Sequence, residues 1–369
     1  MLRLRAYKTK LILNNEERSW CARCAGASRW CYNWGLGEMK AAYEQGRKTS
    51  VMAEKKRLNA IKDDIAPWLR EMPYVVLQCA FDDLDAAYRN FFRRVKQGDA
   101  KAGFPRFKSR KRNLGRFRLM GSIHVTETQI RLPKTGWLRL AEHGYLPVDG
   151  RAKFLSATVS ETAAGDWYVS LQVEEEVSEP EPAQGEPIGI DLGIHALAVL
   201  SDGTVYENPR HLAVHARKIA RLSRELARRK QGSANWRKTK AKLAREHECA
   251  HNARRHMLHQ ISAETVAKEP IAIVMEDLNV KGMMANHHLA RAISDLGMYE
   301  LRRQMTYKAT WNGSDVLLAD TWYPSSKTCS ACGHVRETLE LDEREYICPH
   351  CGLVIDRDLN AAINLKNLA

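Results

Sequence analysis

The most constraining feature of this chain lies near its carboxyl end, where "CSAC" (Cys329, Cys332) is followed after fifteen residues by "CPHC" (Cys348, Cys351). A C-x2-C-x15-C-x2-C spacing suits a four-cysteine zinc ribbon, in which each pair turns in a knuckle and four thiolates complete a tetrahedron. Gly333 and Gly352 follow the two pairs, as such knuckles often need. With every position taken by sulfur the expected zinc, one ion, is structural, and His334 and His350 stay outside the ligand set. The second pair leads through "GLVI" into "DRDLNAAINL", a helix headed by two acids. Asp356 suits the N-cap. Asp358 falls in the first turn, with Ala361 and Ala362 keeping the face beyond it small.

The other cysteines point elsewhere. Nine in all, an odd number, do not suggest a secreted disulfide framework. Cys21 and Cys24 form a CxxC pair inside a helix opened by Asn14 and Glu17, on which Trp20, Cys24, Ala27, Cys31 and Trp34 recur at helical spacing. Core packing is the expectation there. No apolar run is long enough to span a bilayer, and "MLRLRAYKTKLIL" lacks a secretory pattern, so a cytoplasmic protein is expected.

Charge narrows the class of partner. Lys and Arg number 58 against 44 Asp and Glu, giving +14 and a pI near 9.4, a surplus that favours a polyanion. Much of it is concentrated after a helix predicted over about 74–97. There "FFRRVKQGDAKAGFPRFKSRKRNLGRFRL" carries eleven basic residues interleaved with Gly, Pro and Phe. Gly98, Gly103 and Pro105 break the helix, so Lys101, Arg106, Lys108, Arg110, Lys111 and Arg112 are expected on a loop suited to tracking a nucleic-acid backbone.

Around this loop, residues 2–13 and several alternating segments between 116 and 178 predict a small antiparallel sheet or barrel. The acidic "EEEVSEPEPAQGEP" at 174–187 is expected to be a flexible linker. Beyond it, "IGIDLGIHALAVLSDGTVYE" predicts a meander. Two basic helices broken at Gly232–Ser233, a strand at 271–280, a helix at about 294–312 and a short strand "DVLLAD" follow. Asp191 and Glu276 each emerge from an apolar strand, where a carboxylate is costly unless paired or bound to a cation. Gly193 would let a bulky substrate approach the backbone. With Asp358 from the last helix, they could cradle two Mg2+ ions, which take few carboxylates and leave positions for water and phosphate.

At these residues the chain resembles a known family. "GIDLGI", "IVMEDLNVKGM", "PSSKTCSACGH" and "CPHCGLVIDRDLNAAINL", in that order, are similar to the RuvC-type nuclease and zinc-ribbon core of TnpB proteins, transposon-encoded relatives of type V CRISPR effectors. "GFPRFKSRKR" and "KQGSANWRK" fit the same pattern. The resemblance implies an α+β multidomain fold. A wedge-type antiparallel β-barrel (1–14 and 99–185) would be interrupted by a helical recognition insert (15–98). An RNase H-like, RuvC-type domain (186–328 and 352–369) would be interrupted by the zinc ribbon (329–351). It implies an RNA-guided, Mg2+-dependent DNA endonuclease, with Asp191, Glu276 and Asp358 as catalytic acids. Its partners would be a guide RNA and target double-stranded DNA, and a monomer is favoured. Tyr74 and Gln78, at the start of the second predicted helix, are candidates for reading a motif beside the target. A guide-free RNase H-like resolvase or transposase, and an RNA-guided DNA-binding regulator, are the alternatives.

Overall fold

The structure is a computed structural model that describes every residue except 100, 111–113, 149 and 341. Lys111 and Arg112 of the basic loop therefore lie outside the described residues. The chain divides into two compact units, Met1–Ser178 and Glu179–Ala369.

The first unit is built on strand β1 (Leu2–Ile12), which registers antiparallel with β7 (Trp167–Glu176) along nearly its whole length. Together with β2 (Arg116–Met120), β3 (His124–Val125), β4 (Gln129–Arg131), β5 (Trp137–Leu140) and β6 (Ala152–Glu161), they form a seven-stranded sheet in the order β2-β6-β7-β1-β5-β4-β3. Three helices, α1 (Asn15–Glu44), α2 (Val51–Ile65) and α3 (Tyr74–Lys96), intervene between β1 and β2. Helix α1 starts where "NNEE" predicts: the Asn14 side chain accepts from Glu17 N, and the Glu17 carboxylate accepts from Asn14 N. Cys21, Cys24 and Cys31 are fully buried against Leu36, Phe81 and Leu84, as their helical spacing predicts.

Two details depart from expectation. Helix α2 is absent from the sequence reading because nearly half of it is charged and it buries little besides Val51, Glu54 and Leu58. The acidic run at 174–187 begins not as linker but as strand: Glu174, Glu175 and Glu176 end β7 opposite Leu4, Arg3 and Leu2. Glu175 is buried because it accepts from the Tyr7 hydroxyl and from Arg3, the latter at 3.1 Å. An acidic residue with such partners belongs in a sheet.

The second unit contains a five-stranded mixed sheet in the order β10-β9-β8-β11-β12. Strands β8 (Ile188–Asp191), β9 (Ala196–Leu200) and β10 (Val205–Glu207) form the predicted antiparallel meander, while β11 (Ala272–Glu276) and β12 (Asp315–Ala319) run parallel to β8. Residues of β11 alternate in destination. Ile273 and Met275 join a core with Leu258, Ile261, Leu301 and Met305; Val274 joins Leu365 on the other side. The sheet is thus covered on one face by α5 (Ala234–Val266) and α8 (Met298–Trp311), and on the other by α9 (Arg357–Lys366). Strands buried on both faces read as continuous apolar runs, as β8, β9 and β11 do, whereas the edge strands β10 and β12 are largely exposed.

Basic helices α4 (His211–Arg228) and α5 form the expected pair, and the Ser233 hydroxyl caps α5 by accepting from Trp236 N. The helix expected at about 294–312 is two, α7 (Ala290–Leu296) and α8, divided at Gly297, whose φ of +69° a helix cannot contain. A short turn of helix, α6 (Val280–Met283), precedes them. Among the described residues no helix is long and apolar enough to cross a membrane.

Candidate active site and metal centre

Parallel register decides where the carboxylates go. Pairing of Ile188, Gly189 and Ile190 with Ile273, Val274 and Met275 brings the next residues, Asp191 and Glu276, to the carboxyl ends of neighbouring strands. That is where open sheets with parallel strands expose ligand sites, and β8 is also where the sheet changes from antiparallel to parallel. The third acid arrives on α9, which lies unusually close to β8. A Cβ on Gly189 would stand 1.9 Å from the Ala362 carbonyl oxygen and 2.4 Å from Lys366 N. Only glycine admits the helix at this depth, and Asp358 in its first turn is thereby brought into the electrostatic neighbourhood of Asp191.

The charge state of Asp191 records this crowding. Burial, then the carboxylates of Glu276 and Asp358, push its pKa from 3.8 up to about 8, while Arg357 opposes them. A half-buried acid so displaced is a group that a cation would restore to its ionised form. Glu276 is held by the Ser325 hydroxyl, which donates to its Oε1 at 2.5 Å. The two acids heading α9 separate by role. Asp356 accepts from Asp358 N and Leu359 N, each at 2.9 Å, and so caps the helix, while Asp358 is free of that duty. Gly193 also has a local reason: a Cβ there would stand 3.0 Å from the Ala196 carbonyl, inside the turn between β8 and β9.

The cysteines gather much more tightly. The Sγ atoms of Cys329, Cys332, Cys348 and Cys351 all lie within 4.8 Å of one another, and no other set of three or more metal-ligating groups among the described residues is so compact. Each pair makes the same knuckle. Cys329 N donates to His334 O and Gly333 N to Cys329 O; Cys348 N donates to Leu353 O and Gly352 N to Cys348 O. Gly333 and Gly352 take φ near +75°, at +74° and +76°. The rings of His334 and His350 stack on each other at 5.7 Å, outside the sulfur set. Four converging soft donors fit zinc; three oxygen donors around a crowded pocket fit a hard divalent ion.

The two sites are joined by residues that sequence reasoning missed. Asn364 Nδ2 donates to the carbonyls of Ser325 and Thr328 (2.8 and 2.6 Å). Asn360 Nδ2 donates to Thr328 O at 2.7 Å, and its Oδ1 accepts from Ser330 N at 2.9 Å. One face of α9 therefore grips the segment that enters the first knuckle and also carries Ser325 to Glu276. On the other side, the second knuckle continues through β13 (Glu345–Ile347) and β14 (Val354–Asp356) directly into the α9 cap. The only available signal was a pair of buried asparagines at i, i+4 on an otherwise apolar face, Asn360 and Asn364.

The expected nucleic-acid residues are dispersed. Lys101, Arg106 and Arg110 are exposed on the loop after α3. Lys108 is turned inward: its Nζ lies 3.8 Å from the Tyr32 ring centroid, its backbone is held by Asn33, and burial lowers its pKa. Tyr74 is exposed, its hydroxyl accepting from Asn59 at 2.7 Å, and Gln78 is half-buried one turn on. A cationic groove that was not singled out lies on α4, lined by Arg221, Arg224, Arg228 and Arg229 around Glu225.

Two sets of metal-ligating residue types thus lie side by side: carboxylates at the ends of β8 and β11 with a third on a helix crossing β8, and a four-cysteine cluster. Family models match at residues 170–287 (probable transposase, OrfB_IS605), 299–365 (Cas12f1-like, TNB domain) and 1–48 (helix-turn-helix domain). In the structure this last segment is β1 followed by one long helix rather than a helix-turn-helix. A protein of Escherichia coli K12 provisionally named RNA-guided DNA endonuclease InsQ is 36% identical across 99% of this chain and 92% of its own length. A provisionally named RNA-guided DNA endonuclease of Streptomyces pristinaespiralis is also 36% identical, over 98% of this chain and 88% of its own. The Cas12f1 chain of a complex with sgRNA and target DNA shares the fold with a TM-score of 0.58 at 12% identity, over 96% of this chain and 84% of that one. The mini-RNA-guided endonuclease CRISPR-Cas_phi3 does so at 0.51 and 10% identity, over 99% and 92%. The chain belongs to the TnpB family and is an endonuclease with an α+β fold like those of Cas12f1 and CRISPR-Cas_phi3.

Proposed function

We propose that this protein is an RNA-guided endonuclease that hydrolyses phosphodiesters of double-stranded DNA at Asp191, Glu276 and Asp358. The observation that carries the reading is the convergence of these three acids from β8, β11 and α9, with Asp191 raised to about 8 first by burial and then by the other two. Two Mg2+ ions, when bound, supply an activated water and stabilise the leaving oxygen. Asp191, Glu276 and Asp358 would together hold such ions. Ser325 fixes the Glu276 carboxylate in one orientation, so no reorganisation is needed as substrate enters. Arg357, beside Asp191, balances part of the negative charge before the ions arrive.

In this reading residues 1–14 and 99–185 are a wedge-type barrel, 15–98 a recognition insert, 186–328 and 352–369 an RNase H-like core of RuvC type, and 329–351 a zinc ribbon. The β10-β9-β8-β11-β12 order, with an antiparallel meander feeding two parallel strands, supports the RNase H-like assignment. Zinc in the cysteine cluster keeps α9 in place through Asn360, Asn364 and the Asp356 cap. The exposed loop charges, the α4 arginines, and Tyr74 with Gln78 are the surfaces offered to guide RNA and to a short target-adjacent motif. A cytoplasmic monomer suffices for this work.

The test is purification of the protein with its RNA, sequencing of that RNA, and cleavage of DNA matched to it. Discrete structured RNA and EDTA-sensitive cutting of matched DNA are expected. Asp191→Ala should abolish cutting and retain RNA. Cutting that is indifferent to RNA would instead identify a guide-free nuclease.

A further inference from the structure

On the helical face of the first unit lies a cleft of about 610 Å3, lined by Arg23, Gly26, Arg29, Trp30, Trp34 and Trp68, with Asn33 at its edge. Its volume is in the range of a small-ligand site, and its walls are flat and aromatic. Trp30 and Trp34, one turn apart on α1, are nearly parallel, with centroids 6.5 Å apart and planes at 17°. Trp68 stands edge-on to Trp30 at 5.9 Å and 79°, and remains 42% exposed. Trp30 and Trp34 pack partly against the core and leave one side to the cleft, while Trp68 stays open to water.

The floor of the cleft is equally informative. Gly26 lies inside α1, where glycine costs helix stability relative to alanine, yet no tight packing asks for it. A Cβ there would meet nothing nearer than Arg29 Nη2, at 3.9 Å. Helix geometry and neighbours both tolerate a side chain, so the open space itself is what the glycine provides. Charge surrounds it. Arg29 has no ion-pair partner among the described residues and also lines a second cleft, where Lys108 and Arg116 stand with Asp83 and Glu161. Asn33 holds both backbone polar groups of Lys108 at 2.8 Å, so the basic loop is pinned to the edge of the tryptophan cleft.

We propose that this cleft is a subsite for one unpaired nucleotide of RNA, its base stacked among Trp30, Trp34 and Trp68 and its phosphate facing Arg29. Flat aromatic walls with an unpaired guanidinium suit a nucleobase and its anionic backbone, and stacking tolerates any base. A folded RNA leaves loop and bulge bases unpaired, whereas duplex DNA does not, which favours RNA as the source. The inference rests on the reading that this chain carries RNA.

The test uses the full chain with a short adenylate oligoribonucleotide carrying one 5-iodouridine, its deoxy counterpart, and a duplex RNA control. Photocrosslinking followed by peptide mapping should locate the iodouridine on the peptides containing Trp30 or Trp68. Gly26→Leu puts a side chain into the cleft from a position whose Cβ meets nothing nearer than 3.9 Å, and should keep or raise Tm. It should remove that crosslink and weaken single-stranded RNA binding about five- to hundredfold, the range expected for losing one stacked base. Arg29→Gln should weaken binding less and reduce its salt dependence. Crosslinks confined to other peptides, or unchanged affinity in a folded Gly26→Leu protein that still binds RNA, would overturn the subsite alone. DNA binding as tight as RNA at the cleft would overturn its assignment to RNA. A wild-type protein that binds no RNA would overturn both this inference and the reading beneath it.

Discussion

The four cysteines and the three carboxylates are both clusters of metal-ligating groups, yet they are assembled in opposite ways. The sulfurs come from two local knuckles, all lie within 4.8 Å of one another, and leave no vacant direction. The carboxylates come from β8, β11 and α9, elements distant in sequence, and are gathered less tightly. Burial first, and then repulsion from the other two, raises the pKa of Asp191. A closed set can only hold shape. An open, repelling one needs cations and leaves room for water and a phosphate. The asparagines of α9 tie the first to the second, so in the proposed function the closed site sets the geometry of the open one.

Breaking the open site should have the largest effect. Asp191→Ala should lower the cleavage rate by about a thousandfold or more, since several kcal/mol of transition-state stabilisation are lost. RNA retention, read by gel shift, should be unchanged. Breaking the closed site should act through stability. Cys348→Ser should lose the zinc measured by atomic absorption, lower Tm, and remove activity because α9 is no longer anchored, a loss that added Mg2+ should not rescue.

The pH dependence separates the two sites further. Without metal, Asp191 binds its proton more tightly folded than unfolded. The contribution of this group is therefore favourable below its ordinary 3.8 and is lost progressively as pH rises toward about 8. In metal-free protein the Tm advantage of Asp191→Asn over wild type should grow from pH 5 to pH 8, reaching several degrees. Divalent affinity of the wild type should rise over the same window, by at most about tenfold per pH unit, and then level off. The smallest effect is expected for the tie between the sites. Asn360→Ala should cost about 1–3 kcal/mol of stability through groups left unpaired, and lower the cleavage rate while zinc stays bound.

Much of this was legible in the residues for physical reasons. Carboxylates that interrupt apolar strands, as Asp191 and Glu276 do, are hard to explain except by a partner. Cysteine knuckles have a fixed local spacing, and the Asp356 cap is a local hydrogen bond that leaves Asp358 to the site. What was not legible depends on distant contacts. Ser325 and Asn360 look like ordinary polar residues until the fold brings them to Glu276 and Thr328. Helix α2 buries too little to leave a periodic signature, and Trp34 at helical spacing reads as core although it also lines an open cleft.

The central claim is that Asp358, not its neighbour Asp356, completes the divalent-ion site. Mn2+ titration followed by electron paramagnetic resonance counts bound ions directly in wild type, Asp358→Asn and Asp356→Asn. The account predicts two ions in the wild type, fewer in Asp358→Asn, and an undiminished count in an Asp356→Asn protein whose Tm falls through loss of the cap. An unchanged count in Asp358→Asn, or a loss confined to Asp356→Asn, would contradict it.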